Sequence, residues 1–149
     1  MSQIATAYAV PSSALPDLQK QLSAGDSKRF REKLRPFAVE AEFPYSGYVL
    51  VVLVEYLREV GVELPVSEDA AVRTLVEDRD PLVCANRAEA AAAVEALAGV
   101  AATDAELSEY WLEFTGEEID AGVMRAALDW LRRVLLAGKA SDWTIILEG

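Results

Sequence analysis

The hydrophobic pattern changes period several times along the chain, and each change marks an element. Near the start, Ile4, Thr6 and Tyr8 recur at period two, which predicts a short strand over residues 3–9 with those side chains on one face. Pro11, Ser12 and Ser13 interrupt it. Leu15, Leu18 and Leu22 then follow helical spacing up to about Ala24. Pro16 falls in the first turn of this helix, where a missing N–H costs little because that group has no intrahelical partner. Gly25 is placed to end the helix and Asp26 to cap the next, which runs from Ser27 to about Leu34 and stops before Pro36. Phe37 to Phe43 shows no decisive period and stays ambiguous, with extended backbone as one reading.

The longest apolar run, Tyr48 to Val54, is rich in valine, which suits a strand. The run continues past Leu57 to Val60, and Leu50, Leu53, Val54 and Leu57 match the i, i+3, i+4, i+7 pattern. With Ser46 as a cap and Gly61 as a stop, length favours a buried helix over 47–60. Ser67, followed by Glu68 and Asp69, predicts another helix to about Arg79, because acids in a first turn complement the helix dipole. Asp80 and Pro81 break it, and Leu82 to Ala85 reads as a short buried strand.

Three pairs match a capping box, in which a glutamate reaches back to an orphaned backbone donor: Asn86 with Glu89, Thr103 with Glu106, and Thr115 with Glu118. They predict helices over 87–98, 104–114 and 116–137. The last carries a broad apolar stripe, Ile119, Val123, Ala127, Trp130 and Val134 with Leu131 beside it, and Gly138 closes it. Trp143 to Leu147 then reads as a terminal strand. The sum is an α+β, helix-rich chain: a small sheet of about three strands that includes both chain termini, covered by about seven helices, in a single globular domain over 1–149.

Composition narrows the chemistry. The chain contains no histidine, which removes the imidazole base, the Ser-His and Cys-His nucleophile pairs and His-ligated metals. A single cysteine, Cys84, allows neither an internal disulfide nor a thiolate zinc site, and its place in a predicted buried strand makes it a small core residue. There is no glycine-rich phosphate loop. Glu117 to Gly122 has acids near a glycine but lacks the alternating ligands of a calcium loop. No cofactor and no metal are expected. The apolar start has no basic side chain ahead of it, unlike a signal peptide, and no apolar run approaches the roughly 20 residues a membrane span needs. The expected location is cytoplasmic, with no membrane partner.

Charge changes the picture most. The net charge of −11 argues against nucleic acid as a partner, since such binding neutralises phosphates with Lys and Arg. That total hides a division: residues 1–39 hold six basic and three acidic side chains, whereas 40–149 hold eight and twenty-two. Lys28, Arg29, Arg31, Lys33 and Arg35 form a basic cluster whose plainest reading is a solvated helix face, or pairing with the protein's own acids. Seven acids between Asp104 and Asp120 have no Lys or Arg among them. Glu109 and Glu113 are four apart and share a face, so a solvated helix face accounts for them as well. Aromatics interleave, however. Tyr110 and Phe114, at i and i+4, are placed as a core pair, and Trp111 is offset toward the surface. An aromatic anchor ringed by charge is what a protein interface uses. The candidate partner-binding set is therefore Glu106, Glu109, Trp111, Glu113, Glu117 and Asp120, and the partner a basic protein.

The order of elements resembles that of the YfbM-like family, small bacterial α+β proteins without an assigned activity. The likeness rests on three stretches: Ile4 to Ser13 with Leu15 to Leu22, Pro81 to Leu97, and Trp130 to Leu135 with Gly138 and Trp143 to Glu148. It implies a small sheet joining both termini under a cover of helices, and it supplies no catalytic residues. The leading functional expectation is a non-enzymatic interaction domain, in its most concrete form an immunity or antitoxin-like protein. The alternative is a small-molecule binding domain or a carboxylate-dependent hydrolase, with a pocket lined by tyrosines such as Tyr8, Tyr45, Tyr48, Tyr56 and Tyr110. A homo-oligomer is a third reading.

Overall fold

A computed structural model describes residues 4–39, 42–76, 81–120 and 122–148. Its architecture is α+β and helix-rich, built on one antiparallel sheet of four strands. The chain enters through β1 (Ala5–Val10), passes a short 3₁₀ turn, and continues into α1 (Leu15–Ser23) and α2 (Ser27–Leu34). Gly25 adopts a left-handed φ of 73° between these helices, and Asp26 Oδ1 accepts from the Arg29 N–H at 3.0 Å, capping α2. A second 3₁₀ turn over Arg35–Phe37 leads to β2 (Ala38–Val39). This strand is two residues long, too short to show a period, which is why the pattern leaves it ambiguous.

Next comes α3 (Gly47–Glu59), capped by Ser46. Its valines are thus helical, and the tertiary burial of seven of its residues outweighs their strand preference. The following helix, α4 (Ala70–Val76), begins later than Ser67. Asp69 is the residue whose carboxylate accepts from a first-turn N–H, that of Ala71 at 2.9 Å, while the Ser67 hydroxyl accepts from the Asp69 N–H. The three residues expected to open the helix therefore form the turn before it. Its predicted end at Arg79 lies outside the described residues, as do Asp80 and the first residue of the predicted opening strand, Gln3.

β3 (Val83–Asn86) runs into α5 (Arg87–Ala98) through a complete capping box between Asn86 and Glu89. Next is α6 (Asp104–Thr115), where Thr103 Oγ1 accepts from the Glu106 N–H at 3.1 Å. The third predicted box does not form. Thr115 is the last residue of α6, and its hydroxyl turns back to donate to the Trp111 carbonyl at 2.8 Å. Gly116 leaves the helix at φ 78°, and the next helix, α7 (Val123–Gly138), begins only after Gly122 at φ 96°. The helix predicted from residue 116 is shorter than its apolar stripe suggested, because two glycines in the left-handed region interpose a loop.

β4 (Trp143–Glu148) completes the sheet in the order β2-β1-β4-β3. The strands near the two ends of the chain are its central pair, in register from Ala5 opposite Glu148 to Val10 opposite Trp143. The outer edge of β3 is covered by Pro65–Ser67: the Cys84 N–H donates to the Pro65 carbonyl and the Ser67 N–H to that of Cys84.

Helices cover both faces of this sheet. One face presents Ala5, Ala7, Val83, Ala85 and Ile146 to the larger core cluster, which takes in α3, α5, α6 and α7. The other presents Val10, Cys84, Trp143 and Ile145 to a smaller cluster with Leu15, Leu18, Phe30, Leu34, Val72 and Leu75 of α1, α2 and α4. Ile4, Thr6 and Tyr8, read at period two as one face, are not the more deeply buried side of β1. Ile4 is exposed, Tyr8 is half-buried against the smaller cluster, and the intervening alanines are the most deeply buried. With both faces covered, alternation ceases to mark inside from outside. The small side chains on the first face let α7 approach closely. A Cβ on Gly138 would lie 2.8 Å from Thr144 Cγ2, so this glycine is a packing requirement as well as the helix end.

Candidate functional site

The six candidate residues separate into three environments. Glu106, Glu109 and Glu113 lie exposed on α6, and Glu117 and Asp120 lie exposed in the loop between Gly116 and Gly122. Trp111 is instead buried, only 8 % exposed, and the expectation that it faces outward is corrected. It packs with Leu107 on the inner side of α6, edge-to-face with Tyr48 at 5.8 Å, and its indole N–H has no hydrogen-bond partner among the described residues. The expected core pair is likewise revised. Tyr110 is half-buried and Phe114 is 46 % exposed. The ridge that α6 turns toward α3 and α7 is Leu107–Trp111, one position away from the one inferred.

Around the outside of α6, the 100° step per residue orders the side chains. Leu112, 44 % exposed, comes first. Glu109, Glu113 and Glu106 follow, then Tyr110 and Phe114. Three carboxylates thus run between exposed Leu112 and an aromatic pair of half-buried Tyr110 and exposed Phe114. Tyr110 stacks on Phe114 with ring centroids 5.9 Å apart and meets Tyr56 of α3 edge-on at 5.3 Å. Burial pushes the Tyr110 phenol up from its ordinary value, and Glu59 and Glu55 of α3 add to the shift. Burial also raises Tyr56, with Glu106 contributing and Arg125 opposing. These influences identify carboxylates from two helices around one aromatic stack. Glu55 and Glu59 were not singled out in the sequence, since nothing local to 55–59 says which helix will lie beside it.

Neutralisation of the acidic run is partial. Asp104 accepts from Arg125 Nε at 2.9 Å, and Arg125 also donates to the Ala102 carbonyl. Glu55 is engaged by Arg58 at 2.6 Å. Among the described residues no ion pair reaches Glu106, Glu109 or Glu113; Glu106 accepts only from Thr103, at 3.1 Å from its hydroxyl.

On the opposite layer, the basic cluster largely stays unpaired. Lys33 contacts Asp17 at 2.8 Å, but Lys28, Arg29, Arg31 and Arg35 enter no ion pair among the described residues. The main cavity there, about 860 Å³, lies between α1, α2 and α4 and is lined by Ser23, Ser27, Arg31 and Thr74, among others. A cavity of about 400 Å³ adjoins it through Ser27 and Arg31, and two of about 320 and 140 Å³ lie elsewhere. None of these four brings an aromatic ring together with two carboxylates, the combination the hydrolase alternative requires. Glu63 and Glu89 share one of them, but Glu89 is committed to the capping box. Cys84 is buried, and burial pushes its thiol up to about 11, which disfavours the nucleophilic thiolate. Among the described residues no cluster of three or more candidate ligands could hold a metal ion, and no helix is long and apolar enough to cross a membrane.

No family model matches the chain, and neither a curated protein nor a solved structure matches it.

Proposed function

We propose that the chain is a cytoplasmic protein-interaction domain that binds a basic protein partner through α6, in the manner of an immunity or antitoxin protein. The observation that carries this reading is the strip of Glu106, Glu109 and Glu113, free of ion pairs and bordered by exposed Leu112 on one side and Phe114 on the other. A carboxylate left without an internal cation keeps its full attraction for an external one, and an apolar border excludes water from the contact. The partner's guanidinium groups are suited to both features. Arginine pairs bidentately with carboxylate and stacks on an aromatic face, here that of Phe114 and Tyr110. Glu55 and Glu59 extend the negative field to α3, while Glu117 and Asp120 extend it beyond the end of α6. Trp111 serves as the buried support of this surface rather than as its anchor.

Capture of a partner from the native host tests the reading, with wild-type and Glu109→Lys/Glu113→Lys proteins as bait at low and high salt. A basic protein retained at low salt, released at high salt and lost with the double variant is expected. Equal retention by wild type and variant would sink the assigned surface. The resemblance to the YfbM-like family is part of the same proposal, and it concerns the order of elements alone.

A further inference from the structure

The three helices of the smaller layer meet around the 860 Å³ groove, and each turns a pair of residues four apart toward it: Gln19 and Ser23 from α1, Ser27 and Arg31 from α2, Ala70 and Thr74 from α4. The volume falls within the range of small-molecule sites, roughly 300–1,000 Å³. The groove's donors are unspent. Among the described residues the side chains of Ser23, Ser27, Arg31 and Thr74 make no hydrogen bond within the protein, whereas Gln19 Nε2 donates to the Ala71 carbonyl at 2.7 Å and joins α1 to α4 at the groove. Arg31 and Ser27 also line a second hollow of about 400 Å³, where Lys28 and Arg35 add two cations. Among the described residues the groove is lined by no carboxylate and no aromatic ring, and Glu32 is the one acid lining the second hollow.

We propose that this groove binds a small phosphate-bearing molecule that has no aromatic ring, such as a sugar phosphate or a short polyphosphate. Arg31, at the seam of the two hollows, pairs with the phosphate in a charge-assisted fork. The hydroxyls of Ser23, Ser27 and Thr74 suit the remaining phosphate oxygens or the hydroxyls of a sugar. Lys28 and Arg35 receive a second anionic group. A nucleotide fits less well, because no aromatic ring among the described residues lines the groove for a base to stack on. The end of α2 is not the source of the site: Asp26 already occupies its first turn.

Titration calorimetry with inorganic pyrophosphate and with glucose 6-phosphate tests the proposal on the intact chain at low salt. Saturable one-to-one binding is expected, weakened about tenfold or more by Arg31→Gln and a few-fold by Thr74→Val. Arg29→Gln is the discriminating control, since Arg29 lies on the same helix but lines neither hollow. It should leave binding unchanged, as should Glu109→Lys/Glu113→Lys, which separates this site from the one on α6. Equal losses from Arg29→Gln and Arg31→Gln would reveal a diffuse basic face and overturn the proposal, as would the absence of saturable binding. Unchanged thermal melting of the exposed variants would confirm that they fold.

Discussion

The two helical layers of this protein share one sheet and differ in almost everything else. The layer of α3, α5, α6 and α7 contains the larger core cluster, and α7 contributes seven buried residues to it. The layer of α1, α2 and α4 rests on a smaller cluster beneath helices of nine, eight and seven residues. Long helices with wide apolar stripes close against one another. Arg132 of α7 even caps the end of α5, donating to the Leu97 and Val100 carbonyls at 2.8 and 2.9 Å. Short helices with narrow stripes leave a groove where three of them meet. The thicker layer displays unpaired carboxylates on α6, and the thinner layer holds the 860 Å³ groove, lined by donors and a cation. Opposite charge thus falls on opposite sides of the sheet.

The largest expected effects come from equal deletions in the two layers. Leu53→Ala and Leu18→Ala each remove a fully buried leucine, and each should cost roughly 2–5 kcal/mol. Leu53 should lie near the top of that range and Leu18 near the bottom, because the thinner layer can collapse around the loss. Urea unfolding of both variants measures the difference, and a Leu18 variant as damaged as the Leu53 variant would remove the distinction between the layers. Next in size is Gly138→Ala, which forces a methyl group against Thr144 where α7 lies on β4. It should destabilise the protein by about 1–3 kcal/mol, although alanine is the better helix former.

Acid should separate the layers without a mutation. Asp17 is held below its ordinary 3.8 by its hydrogen bond from Lys33, and Asp142 by the backbone N–H of Ser12 at 2.7 Å, with Arg87 adding to it. A carboxyl whose folded pKa is depressed adds stability above its unfolded pKa and loses it as pH falls through the folded value. Both contacts tie α1 or the turn before it, so amides of α1 and α2 should lose hydrogen-exchange protection below about pH 4, ahead of those in α5 and α7. Asp142→Asn should flatten part of that dependence. Simultaneous loss of protection in both layers would contradict it. The smallest effect belongs to Glu109→Lys/Glu113→Lys. These exposed positions are without ion pairs, so the melting curve should move by no more than about 0.5 kcal/mol, even as partner capture is lost.

Much of the fold was readable because its determinants are local. Gly25 with Asp26, Ser46 before α3, and Asn86 with Glu89 each satisfy orphaned backbone groups within a few residues, whatever surrounds them. The α+β class followed from the same signals. Where a local signal had a local competitor, the reading failed. Thr115 had the residues for a cap, but Gly116 allowed a left-handed exit and the hydroxyl turned back to Trp111. The candidate site was readable in its charges alone. Glu106, Glu109 and Glu113 share an exposed face by helical spacing, while the exchange of Trp111 for Phe114 depends on how α6 is rotated against α3 and α7.

Element type, caps, the acidic run and the basic cluster were thus properties of the chain itself, because each acts over one or two helical turns. Tertiary structure decided which face of β1 is inside, since helices on both sides of a sheet make the two faces equivalent. It placed Glu55 and Glu59 beside Tyr110, and it brought Arg31 together with Ser23 and Thr74 across three helices. Those juxtapositions depend on packing between segments tens of residues apart, where side-chain volumes and helix rotation, rather than local spacing, determine what meets.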